Sequence, residues 1–190
     1  MLKEVLLQQV RLYYPKDICP YEREKYMRTI EYERLTSLID YFDSEANIRV
    51  SVKNEFENDE VLKDFEDFSR LDSNQDRCYT FYLNVFEDGE LYLIALHLSI
   101  LMPYYLIRKS WHPAEPFFTK SRVEELEREK KDRRKIDELI IDVETIVEKR
   151  LMYEKFPPSL MNQVIADSSF GDIYLGNFTM YNAFFNNINI

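Results

Sequence analysis

Two histidines and two cysteines bound what chemistry this 190-residue chain can perform. Histidine is the side chain whose ordinary pKa lies near neutrality, so general acid–base work and nitrogen ligation of a metal both lean on His97 and His112. Neither has a second histidine three or four residues away, and no Cys-x-x-Cys occurs, so zinc spacing is absent and no metal is expected. Cys19 and Cys78 are the candidate nucleophiles. A mid-sheet thiol is more often an inert small apolar residue, and no helix N-terminus that would lower its pKa is legible beside Cys78. His112 lies in a Trp111-His112-Pro113 stretch read as loop, where an active-site role is conceivable and a structural one simpler.

Longer motifs fail at their demanding positions. Asp72-Ser73-Asn74-Gln75-Asp76 opens like a calcium loop, but Arg77 stands where glycine is required and Leu83 where the bidentate glutamate belongs. No Gly-x-Ser-x-Gly elbow, phosphate-binding loop or dinucleotide fingerprint is present, and the chain has only 3 glycines, so no cofactor is expected. Glu129-Lys130-Lys131 contains the Glu-x-Lys element of some metal-dependent nucleases, but on a continuous charged helix with no suitably placed aspartate.

Two charge patches remain. Lys130, Lys131, Arg133, Arg134 and Lys135 follow Glu124, Glu125, Glu127 and Glu129 closely enough to form helical pairs, which reads as a solvated face. The acidic patch is longer: Glu55, Glu57, Asp59, Glu60, Asp64, Glu66 and Asp67, relieved by Lys63 alone. Phe56, Phe65 and Phe68 lie among these carboxylates. Acidic groups interleaved with rings suit capture of a basic partner, with charge steering the encounter and rings anchoring it. Glu55, Glu57, Asp59, Glu60, Asp64, Glu66, Asp67 and Phe56 are therefore the candidate partner-binding residues, and no catalytic residue is assigned.

The elements that must position these groups follow from periodicity. Asp88-Gly89 between apolar runs predicts a type I′ hairpin joining residues 78–87 to 90–102. Pairing Glu87 with Glu90 sets Val85, Leu83, Phe81 and Tyr79 opposite Tyr92, Ile94, Leu96 and Leu98 on one face. The other face pairs Asn84 with Leu93, Tyr82 with Ala95, Thr80 with His97 and Cys78 with Ser99, a split expected of a sheet covered by helices on one side. Pro103 ends a strand, and residues 104–108 offer a third.

Helices are expected over residues 2–14, 21–42 and 59–71, with a short strand at 48–52. Val5, Leu6, Gln9 and Leu12 share one side of the first helix. Residues 120–153 read as one long charged helix whose second half carries the seam Ile136, Leu139, Ile140, Val143, Ile146, Val147 and Leu151. At 1.5 Å per residue it would be about 50 Å long, against roughly 40 Å for a domain of this size. Residues 120–135 would then project as an arm or meet a second copy in a homodimer. Ser159 is placed to cap a short helix, and the tail 177–190 sets Phe178, Tyr181, Phe184 and Phe185 on one side.

The whole reads as one α+β domain over residues 1–190. Hydrophobic residues at 45%, with 14 Tyr and 13 Phe, exclude disorder. A net charge of −10 disfavours nucleic acid and anionic membranes and favours a basic protein partner. Residues 91–107 approach a membrane span in length but are better explained as sheet, and residues 1–10 lack the pattern of a signal peptide, so a cytoplasmic setting is expected. In being small, acidic, glycine-poor and α+β, the chain resembles bacterial immunity proteins, a likeness of general character that no motif carries. It implies a non-enzymatic protein that neutralises a toxin or nuclease. The alternatives are an enzyme with a site near His97 and Cys78 or Trp111 and His112, and an assembly protein built on the 120–153 helix.

Overall fold

A computed structural model describes residues 2–44, 47–71, 76–113, 118–129 and 134–187. Along the chain lie α1 (Leu2–Tyr13), α2 (Arg23–Met27), α3 (Ile30–Ser44), α4 (Asn47–Phe56), β1 (Glu66–Asp67), β2 (Cys78–Glu87), β3 (Glu90–Ser99) and β4 (Tyr104–Pro113). Then come α5 (Lys120–Glu129), α6 (Ile136–Lys149), β5 (Glu154–Lys155), α7 (Pro158–Met161) and α8 (Met180–Phe184). The strands form one five-stranded sheet in the order β1-β2-β3-β4-β5. All neighbours are antiparallel except β4 and β5, so the fold is α+β with the predicted hairpin at its centre.

That hairpin has the register counted from the sequence, from Glu87 opposite Glu90 to Cys78 opposite Ser99. Asp88 and Gly89 take φ of +51° and +81°, the paired left-handed conformation a type I′ turn requires. The second strand of the hairpin stops at Ser99, short of the expected 102. Beyond it the third strand is longer than the sequence suggested: Trp111, His112 and Pro113, expected in a loop, pair with Tyr92, Leu91 and Glu90.

Other expectations are corrected. Residues 48–52 are part of helix α4, because Val52 and Phe56, four apart, bury together and outweigh a short alternation. Residues 59–71 are not a helix. Asp59 Oδ1 accepts the N–H groups of Val61 and Leu62, both at 2.9 Å, and turns the chain into a single 3-10 turn at Leu62–Asp64. The backbone then extends at Phe65 and pairs with β2 as an edge strand. Residues 21–42 divide where the Thr29 hydroxyl accepts from Tyr32 N–H.

The single helix over 120–153 is likewise two helices, α5 and α6. Residues 130–133, including Lys130, Lys131 and Arg133, lie outside the described residues, as does most of 72–76. Lys135 is extended, with φ −70° and ψ 154°, and its N–H donates to Glu138 at the start of α6. Val123 of α5 is buried, and Phe118 meets Phe86 of β2 edge-on at 5.3 Å, so the described charged stretch lies against the sheet. The apolar seam of α6, with Ile136, Leu139, Val143 and Val147 buried, belongs to the chain's own core. Ser159 does not cap α7, which starts at Pro158 after an extended Pro157, and among the described residues of the tail, 177–187, the helix is α8.

The sheet is covered on both faces. On the more apolar one, Phe42 of α3 meets Tyr79 at 6.3 Å and Arg49 of α4 lies over the Tyr79 ring. There, too, Tyr105 donates to Glu148 of α6 at 2.6 Å. The other face, expected to be less covered, is closed by the C-terminal segment at its Cys78–Ser99 end, while Asn84 and Ser110 farther along it stay exposed. Phe185 meets His97 at 6.4 Å, and Phe184 and Phe156 meet Tyr104 at 6.5 and 5.6 Å. The buried Arg77 fastens this cover: its guanidinium donates to the Asn182 carbonyl and to Asn187 Oδ1 and lies 4.7 Å over the Phe170 ring. From the other end of the chain, the Tyr14 and Tyr26 hydroxyls donate to the carbonyls of Ala183 and Ser169 at 2.7 and 2.6 Å. Among the described residues, no helix is long and apolar enough to cross a membrane.

Candidate functional site

The acidic segment divides into carboxylates that hold the fold and carboxylates that do not. Asp59 takes Arg134 in a two-pronged pair at 2.8 and 2.9 Å, and Arg134 also reaches Asp142 at 2.6 Å. That guanidinium holds the Asp59 carboxyl down to about 2, aided by the two N–H groups it accepts. The stability it confers is complete above the ordinary carboxylate pKa of 3.8 and is lost as pH falls through about 2. Glu55 pairs with Arg150 at 2.7 Å and Asp67 with Arg49 at 3.6 Å. These three are structural.

Glu57, Glu60, Asp64 and Glu66 are exposed, and their carboxylates make no ion pair or hydrogen bond among the described residues. They follow one another along the chain through the turn, the 3-10 element and the edge strand. The ring that follows them along the chain is Phe68. It is 44% exposed and lies 4.9 Å from Tyr82, with its N–H donating to Thr80 O. Phe56, counted among the partner-binding residues from sequence, is 2% exposed and stacked on Phe65 at 5.1 Å. It is a core residue. The helical phase of α4 points it inward, and nothing in the local composition distinguishes it from Phe68; the pairing of residues 66–67 with β2 does so, leaving Phe68 at the rim.

The polar face of the hairpin brings together the groups that could have made a thiol site. Cys78 Sγ is 3.8 Å from His97 Nδ1 and 3.6 Å from Thr80 Oγ1, which is itself 3.0 Å from Nδ1. All three are buried. Burial pushes the Cys78 thiol up to about 12 and the His97 imidazole down to about 4, so both are neutral at pH 7. A thiolate–imidazolium pair needs both shifts reversed, and a substrate would need an opening. This trio is a hydrogen-bonded core under Phe185. Tyr82, half-buried beside them, is raised above its ordinary pKa by burial, so it too is a neutral phenol.

Trp111 and His112 are exposed on the far half of β4, on opposite faces because they are adjacent in a strand, and so do not converge on one site. Among the described residues no group of three or more His, Cys, Asp or Glu side chains is placed to hold a metal ion. Two concavities are lined by described residues throughout. One is an open groove of about 500 Å³ between α1 and α3, with Leu12, Ile30 and Tyr41 on its walls. The other, of about 420 Å³, lies between residues 171–177 and α8. Compared with protein families, curated proteins and solved structures, the chain matches none.

Proposed function

We propose that the chain is a non-enzymatic, acidic binding protein that captures and neutralises a basic protein, of the toxin or nuclease kind that immunity proteins hold, and that it works in the cytoplasm. The observation that carries this reading is the run of four exposed carboxylates without a partner among the described residues, Glu57, Glu60, Asp64 and Glu66, followed along the chain by the exposed Phe68 ring. Like charges within a ten-residue stretch repel one another, and a cationic surface relieves that repulsion on contact. The net charge of −10 adds a long-range field of the same sign, which speeds encounter at low salt. Phe68 supplies apolar area that charge alone lacks.

The test is affinity capture from the native organism at low and moderate salt, using the intact chain and the variant Glu57→Ser/Glu60→Ser/Asp64→Ser/Glu66→Ser. A single basic protein retained by the intact chain and weakened at least about tenfold by the variant, as removal of several interfacial charges should produce, supports the reading. Partners indifferent to the substitutions, or none, overturn it. Asp59 is left unchanged because its loss would unpin Arg134 and confuse folding with binding.

A further inference from the structure

Residues 171–177 form a small hydrogen-bonded loop that uses two of the chain's 3 glycines. Phe170 and Ile173 exchange both backbone hydrogen bonds, at 3.1 and 3.0 Å, across a Gly171-Asp172 turn with Gly171 at φ +58°. A second turn closes from Asn177 N–H to Tyr174 O at 3.1 Å, followed from Gly176 N–H to Ala166 O, with Gly176 at φ +84°. Against this loop stands α8, whose start is fixed by reciprocal bonds between Thr179 and Asn182. The pocket of about 420 Å³ lies between them, within the range of small-molecule sites.

Its wall chemistry is selective. The floor is already satisfied: Tyr181 donates to Asn186 Oδ1, and the Asn182 carboxamide serves Thr179 and the Asn186 carbonyl. Asn162, Asp172 and Asn177 are different, for they are exposed, line the pocket and make no side-chain hydrogen bond among the described residues. Tyr174, 54% exposed, completes the wall, and Tyr21 stands beside it with ring centroids 6.4 Å apart. No lysine or arginine lines the pocket, which disfavours phosphates and carboxylates. Polar walls disfavour lipid. Two carboxamides that both donate and accept, one acceptor carboxylate and an open aromatic face match a ligand bearing vicinal hydroxyls on one edge and a C–H face on the other.

We propose that this pocket binds a neutral saccharide, with Tyr174 stacking on a pyranose face and Asn162, Asp172 and Asn177 pairing with its hydroxyls. The site is separate from the acidic run Glu57 to Glu66 and does not depend on it.

The experiment is ligand-observed saturation-transfer NMR on the full chain with glucose, galactose, mannose, N-acetylglucosamine, maltose and lactose, with spermidine titrated in parallel. The expected result is saturable binding of at least one sugar in the millimolar range or tighter, weakened about tenfold or more by Tyr174→Ala and by Asn177→Ala. Both side chains are exposed, and an unchanged thermal midpoint in each variant separates loss of the site from loss of the fold. Saturation by none of the six sugars overturns the proposal, as does sugar binding indifferent to both substitutions. Binding of spermidine alone overturns it too, by making Asp172 a cation site.

Discussion

Arg77 is charged, fully buried and fastened by its guanidinium to the segment that closes one face of the sheet. Its removal would leave the Asn182 carbonyl without this donor and open space beneath Phe170. Arg77→Ala is expected to cost about 3–5 kcal/mol, as for other broken buried polar networks, measured by urea unfolding; a loss under about 1 kcal/mol would remove it from this role. His97 makes a different prediction. Its pKa is about 4 in the fold against 6.5 when exposed, so the unfolded chain binds the proton more readily. Stability should therefore fall as pH drops below about 6.5, by about 2 kcal/mol at pH 5. His97→Asn, which can still face Thr80, should flatten that part of the pH profile. A wild-type profile already flat from pH 7 to 5 would contradict the burial argument.

At the scale of elements, the Asp88-Gly89 turn puts a non-glycine and a glycine at positive φ, and only the second is relaxed there. Space around the Gly89 Cβ position is open, so Gly89→Ala tests backbone strain alone. A loss of roughly 1 kcal/mol is expected, read from the shift in urea midpoint at constant slope; no loss would mean the turn adopts another type. This hairpin was legible in the sequence because a two-residue turn fixes the register and a one-residue slip would invert every pair. The elements that sequence reading missed are those decided by distant partners. Residues 59–71 have helical spacing, but Asp59 caps a turn and answers to Arg134, 75 positions away, and residues 66–67 gain a ladder with β2. The same distance explains the candidate site. The run of carboxylates is visible in composition, whereas their division into Glu55, Asp59 and Asp67, held by arginines, and Glu57, Glu60, Asp64 and Glu66, left outside, depends on how α4, α6 and β1 come together.

For the whole molecule, the two faces of the sheet are closed by parts of the chain made at different times. On the apolar face Tyr79 is met by Phe42 of α3 and Arg49 of α4, which precede the hairpin, and Tyr105 by Glu148 of α6, which follows it closely. His97, beside Cys78 and Thr80, is met by a ring as late as Phe185, and the Tyr14 hydroxyl just after α1 finds its acceptor at Ala183. During synthesis at roughly 5–20 residues per second, the 74 positions between Pro113 and Asn187 correspond to a wait of about 4–15 s. Through that interval the nascent hairpin turns to water the side that carries a hydroxyl, an imidazole and a second hydroxyl, while its oily side is already within reach of shelter. The order in which the ribosome delivers the coverings thus matches the order in which the two sides need them, and a circular permutant beginning between β4 and α5, which makes both coverings before the hairpin, would abolish the wait.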